Sequence, residues 1–472
     1  MKLPGRALAA LLVVVIASLS GAVIVQRERQ AREAEQSVTI GTQNSVASVE
    51  IPDIFIHGSA LDRRLLNASF QKIQSVYYKP VDDQVLVSGE RNGLSEYLKT
   101  HGVAQPALPQ LASTGDVTAD QRVLDNVLQA AIDRYGKRFT DTVLMQQAIK
   151  GMLAGLKDPY TTYLTPDEIR QLEESLNGGD FGGIGVYIVQ DPRSGQILVQ
   201  PIENTPAAHA GIKAGDVILA VDGKPVKGQS LDMVEREIRG RTGTSVQLLV
   251  RSQGEKATRT VTVVREQIHV PSVAAKVEDG IGYIRLADFG TSSFDELRAA
   301  IAKTRSGGAK AYILDLRNNG GGLLDAAVDI SSLWIKQGVI VSTVDRPGNR
   351  DVHQATGRYA PAEPLVVLVN KYTASASEIT AGAIQDDHVG TVLGTRTFGK
   401  GVVQSIYRLP DLSALKITTA RYLTPSGRDI DHKGIEPDIV VDQKVDPAII
   451  DSPNDKQLTA AKNLLDRELA GR

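Results

Sequence analysis

Residues 371–379 read Lys-Tyr-Thr-Ala-Ser-Ala-Ser-Glu-Ile and follow a five-residue apolar run at 365–369. A buried strand turning here into a helix would set Ser375 among unpaired backbone N–H groups, at the positive end of the helix dipole. Such a turn exposes a hydroxyl and stabilises a developing oxyanion. It is equally the place of an ordinary capping serine. A second apolar run, 312–316, passes into Arg317-Asn318-Asn319-Gly320-Gly321-Gly322. Three glycines let backbone amides approach a substrate, and no Lys-Ser/Thr follows them, so a phosphate-binding P-loop fails. The third stretch is Thr397-Phe398-Gly399-Lys400-Gly401-Val402-Val403-Gln404. If Lys400 is buried, desolvation draws its pKa from about 10.4 toward neutrality. A neutral lysine can then deprotonate a serine; a solvated surface lysine is the plain alternative. Among the seven histidines there is no HExxH pair, and no serine sits in a GxSxG elbow. His388 and His432 stay as rival bases, and no histidine spacing calls for a metal.

Other segments must position these groups. Residues 180–266 show short alternating strands punctuated by glycine, with hairpin-turn chemistry at Asp222-Gly223. A helix over 231–239 is closed by Gly240 in the C′ position. The glycine-containing loop at Gly183, Ile184, Gly185 and Val186 lies beside a strand edge, where amides can hold a peptide carboxylate; a simple hairpin needs the same glycines. From 281 to 400 the pattern is strand, helix, strand, with near-continuous apolar runs that suit strands buried on both faces. Helices are expected at 323–335 and 376–386, an antiparallel strand at 415–424 and an amphipathic helix at 455–470.

Upstream, 62–100 and 120–165 read as helical hairpins joined by a Pro- and Gly-containing linker at 101–119. Tyr77, Val85, Leu86, Gly93, Leu98 and Lys99 recur as Tyr135, Val143, Leu144, Gly151, Leu156 and Lys157, each 58 residues on (135 − 77). Either the hairpin is duplicated or two amphipathic helix pairs coincide.

The chain has 472 residues, and Lys+Arg 53 against Asp+Glu 55 gives a net charge of -2. That balance argues against a dedicated nucleic-acid binder. Cysteine is absent, which removes disulfides, thiol nucleophiles and CxxC metal sites. Lys2 and Arg6 precede an apolar run from residue 8 to 25. This is the pattern of a signal peptide or an uncleaved anchor, and either one exports the rest of the chain.

Together these motifs resemble the carboxyl-terminal processing proteases, also called tail-specific proteases. Further matching pieces are Gly151-Met152-Leu153 with Asp158-Pro159-Tyr160, Tyr422-Leu423-Thr424-Pro425-Ser426-Gly427-Arg428, and Gly434-Ile435-Glu436-Pro437-Asp438. The resemblance implies a multidomain α/β fold: an α/β, crotonase-like ββα protease core, an inserted small β-rich PDZ domain, and helical N- and C-terminal regions. The implied division is a signal or anchor at 1–26, a tether at 27–61 and a helical region at 62–179. The PDZ domain follows at 180–267, the protease core at 268–445 and a C-terminal helix at 446–472. It also implies Ser375 as nucleophile, Lys400 as base, Gln404 as the residue orienting it, and the amides of Gly321 and Ala376 as the oxyanion hole. Asp386 becomes a structural acid, and Gly183, Ile184, Gly185 and Val186 the carboxylate loop. Arg239 is the candidate for coupling the PDZ domain to the protease. No cofactor or metal is implied. Substrates would be proteins or peptides with free C-terminal tails, met in the periplasm or cell envelope, with the N-terminus in the membrane if uncleaved. The paired terminal helices suggest a homodimer, as in some members of that family. The rival readings are a PDZ scaffold with a silent core and an apolar-ligand binder of the same fold, like the retinoid-binding proteins of the eye.

Overall fold

In the computed structural model the described residues are Val23–Ile24, 59–176, 181–191, 194–252, 254–358, 363–445 and 449–471. The signal or anchor segment, those two residues apart, and the tether up to residue 58 lie outside the described residues.

Four helices come first: α1 (Ser59–Val76), α2 (Asp83–Thr100), α3 (Val117–Tyr135) and α4 (Asp141–Gly155). Short polar side chains start three of them. Asp82, Asp116 and Thr140 each accept an N–H of the first turn, which satisfies a donor the helix cannot. Leu65, Leu66, Phe70 and Ile73 of α1 and Leu124, Val127, Leu128 and Ala131 of α3 recur at helical spacing and bury one stripe each. α2 and α4 cross at glycines: a Cβ on Gly93 would lie 2.3 Å from the Gly151 Cα. The second hairpin ends at Gly155 rather than 165. Pro159 disfavours helix at the residue before it, and Thr162–Leu164 becomes strand β1.

β2 (Phe181–Gly183) leads into a small sheet of β3 (Val186–Gln190), β4 (Ile197–Pro201), β5 (Asp216–Val221), β6 (Ser245–Arg251) and β7 (Thr258–Val264), in that order across the sheet. Helix α5 (Leu231–Ile238) lies beside β3, which is an edge. Gly240 is not the left-handed cap its position suggests. Its φ is not positive, and it is small because the Arg265 guanidinium fills the space, with Nε 2.8 Å from where a Cβ would sit. Arg265 donates to the carbonyls of Ile238 (2.7 Å) and Glu237 (3.1 Å) and so caps α5. The chain leaves through β8 (Glu266–Ile268), antiparallel to β2, so both connections of the inserted domain form one ribbon.

The core sheet runs β9 (Val273–Glu278), β10 (Ile281–Leu286), β11 (Ala311–Asp315), β14 (Leu365–Val369), β15 (Thr391–Gly394) and β18 (Ile439–Val440). From β10 onward neighbours are parallel. Every residue of β11 and β14 is buried. Their side chains alternate between two cores, as a strand covered on both faces requires. Tyr312, Leu314 and Val367 meet α6 (Ser293–Ser306), α7 (Leu324–Ser331) and α8 (Ala376–Asp386). Ile313, Val366 and Leu368 meet the C-terminal α9 (Lys456–Ala470). The second sheet is β16 (Val402–Arg408), β17 (Ala414–Leu423), β12 (Val339–Asp345) and β13 (Arg350–Gln354), with β1 also on β17. The helices at both ends of the chain pack apolar stripes against its own cores.

Candidate active site

Ser375 stands between β14 and α8 and has φ 58 and ψ -119, a conformation costly for a residue with a Cβ. The Glu378 carboxylate holds this turn. Its Oε2 accepts from Ser375 N (2.9 Å) and from Lys400 N (2.9 Å), and its Oε1 accepts from Gly399 N (2.7 Å) and the Thr397 hydroxyl. One buried carboxylate thus clamps the serine turn and the lysine loop. Burial pushes the Glu378 pKa up, against those four donors. A second clamp is Tyr422 of β17, whose hydroxyl donates to the carbonyls of Ser375 (3.2 Å) and Lys400.

Lys400 is 5% exposed and its Nζ lies 4.9 Å from the Tyr160 ring centroid. It forms no salt bridge among the described residues. Burial, then the charge of Lys416, lowers its pKa to about 7. Gln404, four residues on in β16, donates to the Thr418 hydroxyl at 3.4 Å while its Oε1 has no partner among the described residues. Thr418 N–H donates to the Thr161 hydroxyl (3.0 Å), which donates to Asp158 (2.7 Å). The Asp158-Pro159-Tyr160 turn is in this way wired to the lysine's surroundings.

The glycine loop lies against the serine turn. A Cβ on Gly321 would be 2.7 Å from Ala376 N. Ala376 N–H, at the head of α8, meets no acceptor among the described residues. Gly321 N–H, however, donates to Asn319 Oδ1 (2.8 Å), so of the two amides singled out as an oxyanion hole only Ala376 is open in this state. Ser377 is committed elsewhere: its buried hydroxyl donates to the Asn319 carbonyl (3.0 Å). His388 is exposed, and the His432 side chain is 84% exposed, so neither is placed as a base. Asp386 accepts from Ser426 N (2.9 Å) and pairs with Arg428, pinning the turn after β17.

In the inserted domain, Gly183 ends β2 and Ile184 and Gly185 turn the chain into the edge strand β3, Gly185 with φ 75. The Gly185 carbonyl is held by the Thr205 hydroxyl (2.9 Å). Val186 begins β3 opposite Pro201. Arg239 pairs with Glu235 one turn back on α5; the cation that joins this helix to the exit connection is Arg265.

Glu378, Tyr422 and Asn319 are the residues that motif reading left without roles. Glu378 was legible: Ser375-Ala376-Ser377-Glu378 is the S-x-x-E of a capping box. Tyr422 acts through contacts between distant segments and the Asn319 side chain closes its own loop, and no local pattern marks either.

Residues 280–441 match the model of peptidase family S41, and residues 197–252 match a PDZ domain. A carboxyl-terminal-processing protease of Synechocystis sp. is 42% identical over 325 residues, 67% of this chain and 76% of that protein. A carboxy-terminal-processing protease of Bartonella bacilliformis is 42% identical over 310 residues, 64% of this chain and 70% of that one. Among solved structures, a photosystem II D1 C-terminal processing protease is 30% identical, with a TM-score of 0.48 and coverage of 84% of this chain and 99% of that one.

Proposed function

The chain belongs to the carboxyl-terminal-processing serine proteases, and from that premise we propose that Ser375 and Lys400 form its catalytic dyad. The observation that carries this reading is the shared carboxylate. Glu378 fixes the backbone of Ser375 and of Lys400 together, and the lysine it fixes is buried and titrates near neutrality. Neutral Lys400 takes the Ser375 hydroxyl proton as Oγ attacks the scissile carbonyl carbon. The oxyanion faces Ala376 N–H and an amide of the glycine loop, Gly321 N–H joining once it leaves Asn319. Collapse expels the amine, which takes the proton from Lys400. Water then attacks the acyl-enzyme with Lys400 again as base. The unpartnered Gln404 Oε1 is the acceptor that orients the ammonium in between.

Substrate tails bind by strand addition to the edge strand β3 beside α5, their terminal carboxylate on the amides of residues 183–186. The basic and apolar N-terminus supports an exported enzyme; among the described residues no helix is long and apolar enough to cross a membrane. The test is covalent labelling by a serine-reactive fluorophosphonate, with tail-bearing peptide cleavage followed in parallel. Both should vanish in Ser375→Ala, while a tail ending in a carboxamide should be cleaved poorly. Labelling that persists in Ser375→Ala would end the assignment.

A further inference from the structure

Arg317 stands where β11 gives way to the glycine loop, and its side chain is 1% exposed. All five of its side-chain N–H groups meet acceptors. Nε donates to Asp315 Oδ1 (2.9 Å) and Oδ2 (3.1 Å), and Nη2 donates to Asp315 Oδ2 (2.6 Å) and Asp455 Oδ2 (2.8 Å). Nη1 donates to Asp455 Oδ1 (2.8 Å) and Gln457 Oε1 (3.2 Å). Asp315 ends β11, whereas Asp455 is the N-cap of α9, 138 residues beyond Arg317. The guanidinium thus forks between the strand that carries the glycine loop and the C-terminal helix.

A helix that only covered the sheet would not need this fork. Leu458, Ala461 and Leu465 already seat α9 on Ile313, Val366 and Leu368. Two buried carboxylates exceed one guanidinium by a charge, and neutral donors meet the excess. The Tyr283 hydroxyl donates to Asp315 (2.7 Å), and the N–H groups of Asp451 (2.9 Å) and Leu458 (3.0 Å) donate to Asp455. Burying ions costs desolvation that apolar packing avoids; what a bidentate fork adds is one fixed geometry.

That geometry bears on the loop. The residues on either side of Arg317 are bonded to the serine turn. The Thr373 hydroxyl donates to the Leu316 carbonyl (2.9 Å), Asn318 N–H donates to Asn370 Oδ1 (3.1 Å), and Asn370 Nδ2 donates to Asn318 Oδ1 (2.8 Å). Ala374 N–H donates to the Asn319 carbonyl (3.0 Å), and the Asn319 side chain holds Gly321 N–H. Asn318 has φ 61, a left-handed conformation that its surroundings must hold in place. The serine turn holds this stretch from one side and Asp455 from the other.

We propose that Asp455 is a positioning residue for the protease: acting through Arg317, it sets where the amides of the glycine loop stand relative to Ser375. The proposal rests on the oxyanion reading above. The five N–H groups of Arg317 are all committed, so its part is to hold the loop and not to meet substrate.

Asp455→Asn in the full chain keeps an oxygen for Leu458 N–H, and asparagine caps a helix as well as aspartate does. It removes the charge and turns the oxygen facing Arg317 Nη2 into an amide nitrogen. On a tail-bearing peptide kcat should fall about tenfold with KM unchanged, less than the loss of an oxyanion donor itself would cost. A peptide boronic acid forms a tetrahedral adduct on Ser375 with an oxygen in the oxyanion hole, and its affinity should fall by the same factor. Leu465→Ala takes apolar packing from the same helix; it should lower Tm and leave kcat and boronate affinity alone. If Asp455→Asn does not fold, Gln457→Leu removes the weaker acceptor of Arg317 and should lower kcat and boronate affinity together, by less. A folded variant with wild-type kcat, or with lowered kcat and full boronate affinity, would overturn the positioning role and leave the dyad intact. An equal loss of kcat in Leu465→Ala would assign the effect to any loosening of α9 and overturn it too. Cleavage surviving Ser375→Ala would overturn the dyad and this role together.

Discussion

Lys400 in the protease core and Glu90 in the helical bundle are both buried ionisable side chains that form no salt bridge among the described residues. Around Lys400 lie a clamped serine turn, an open amide at Ala376 and the unpartnered Gln404 oxygen. At Glu90, among the described residues, both carboxyl oxygens lack partners, and the residue is buried on α2 with the Asp125 charge nearby. Burial shifts both, lowering the lysine and raising the carboxyl, each toward its neutral form. A perturbed group is therefore not a site by itself. What separates the two regions is whether a second reactive group is held in register with the first.

The largest test of that difference removes the reactive groups. Ser375→Ala and Lys400→Ala should each lower peptide turnover at least about a thousandfold, and the double variant should be no worse than either, because the pair acts as a unit. Lys400→Arg should be as inactive, since arginine stays protonated. The same kinetics on Glu90→Ala should show wild-type turnover at a temperature where it is folded. Losses that add in the double variant would mean that Ser375 and Lys400 act separately.

Next comes the clamp. Glu378→Gln keeps the shape but turns one oxygen, which faces two donors, into an amide nitrogen. Leaving buried donors unsatisfied costs about 1–3 kcal/mol each. Calorimetry should show a lower Tm, and kcat should fall more than KM changes, because the dyad loses its register rather than its substrate contacts. A fall in Tm with full kcat would reduce Glu378 to a structural cap.

These same residues mark how much of the molecule is legible in its sequence. The fold class rests on apolar runs that do become the buried parallel strands β11 and β14. Ser375 and Lys400 stand out because glycines and a strand-to-helix change flank them locally. The Asn319 bond to Gly321 N–H is a loop conformation that three glycines permit but do not specify. Gly240 reads as a helix cap, yet its smallness answers to Arg265, a contact 25 residues away in sequence (265 − 240). The duplicated hairpin shows itself as an offset, but only the packing reveals that Gly93 and its equivalent Gly151 meet backbone to backbone.

A smaller effect is the pH profile. With the Lys400 pKa lowered to about 7, the base is protonated below that value. Log kcat/KM should rise with unit slope below about pH 7 and level off above it. The stability counterpart comes from the same shift. The unfolded chain holds this proton up to about 10.5, so between 7 and 10.5 it binds more protons than the folded chain, and stability rises with pH. Lys400→Met should therefore be more stable than the wild type at pH 6, with the gain fading toward pH 10. A gain that does not change with pH would mean that the lysine is not desolvated.

The smallest effect expected is at Glu90, where only stability should move. Its repeat equivalent 58 residues on is Ala148, also fully buried, so the hairpin does not require a carboxyl at this position. Burial first, and the Asp125 charge second, hold its pKa well above 4.5. Above 4.5 the unfolded chain gives up this proton while the folded chain keeps it, so folding takes up a proton and stability falls as pH rises toward the folded value. Glutamine keeps the size and the unmet hydrogen-bonding capacity but cannot ionise. Glu90→Gln should match the wild type at pH 4 and exceed it by at least about 1 kcal/mol at pH 8, the amount by which ionisation opposes folding there. Thermal unfolding at both pH values, with kcat/KM measured alongside, checks this. Equal stabilities at pH 8 would show that Glu90 finds a partner in solution. A change in kcat/KM would show instead that the bundle's buried carboxyl is coupled to the dyad, and the contrast between the two regions would fall.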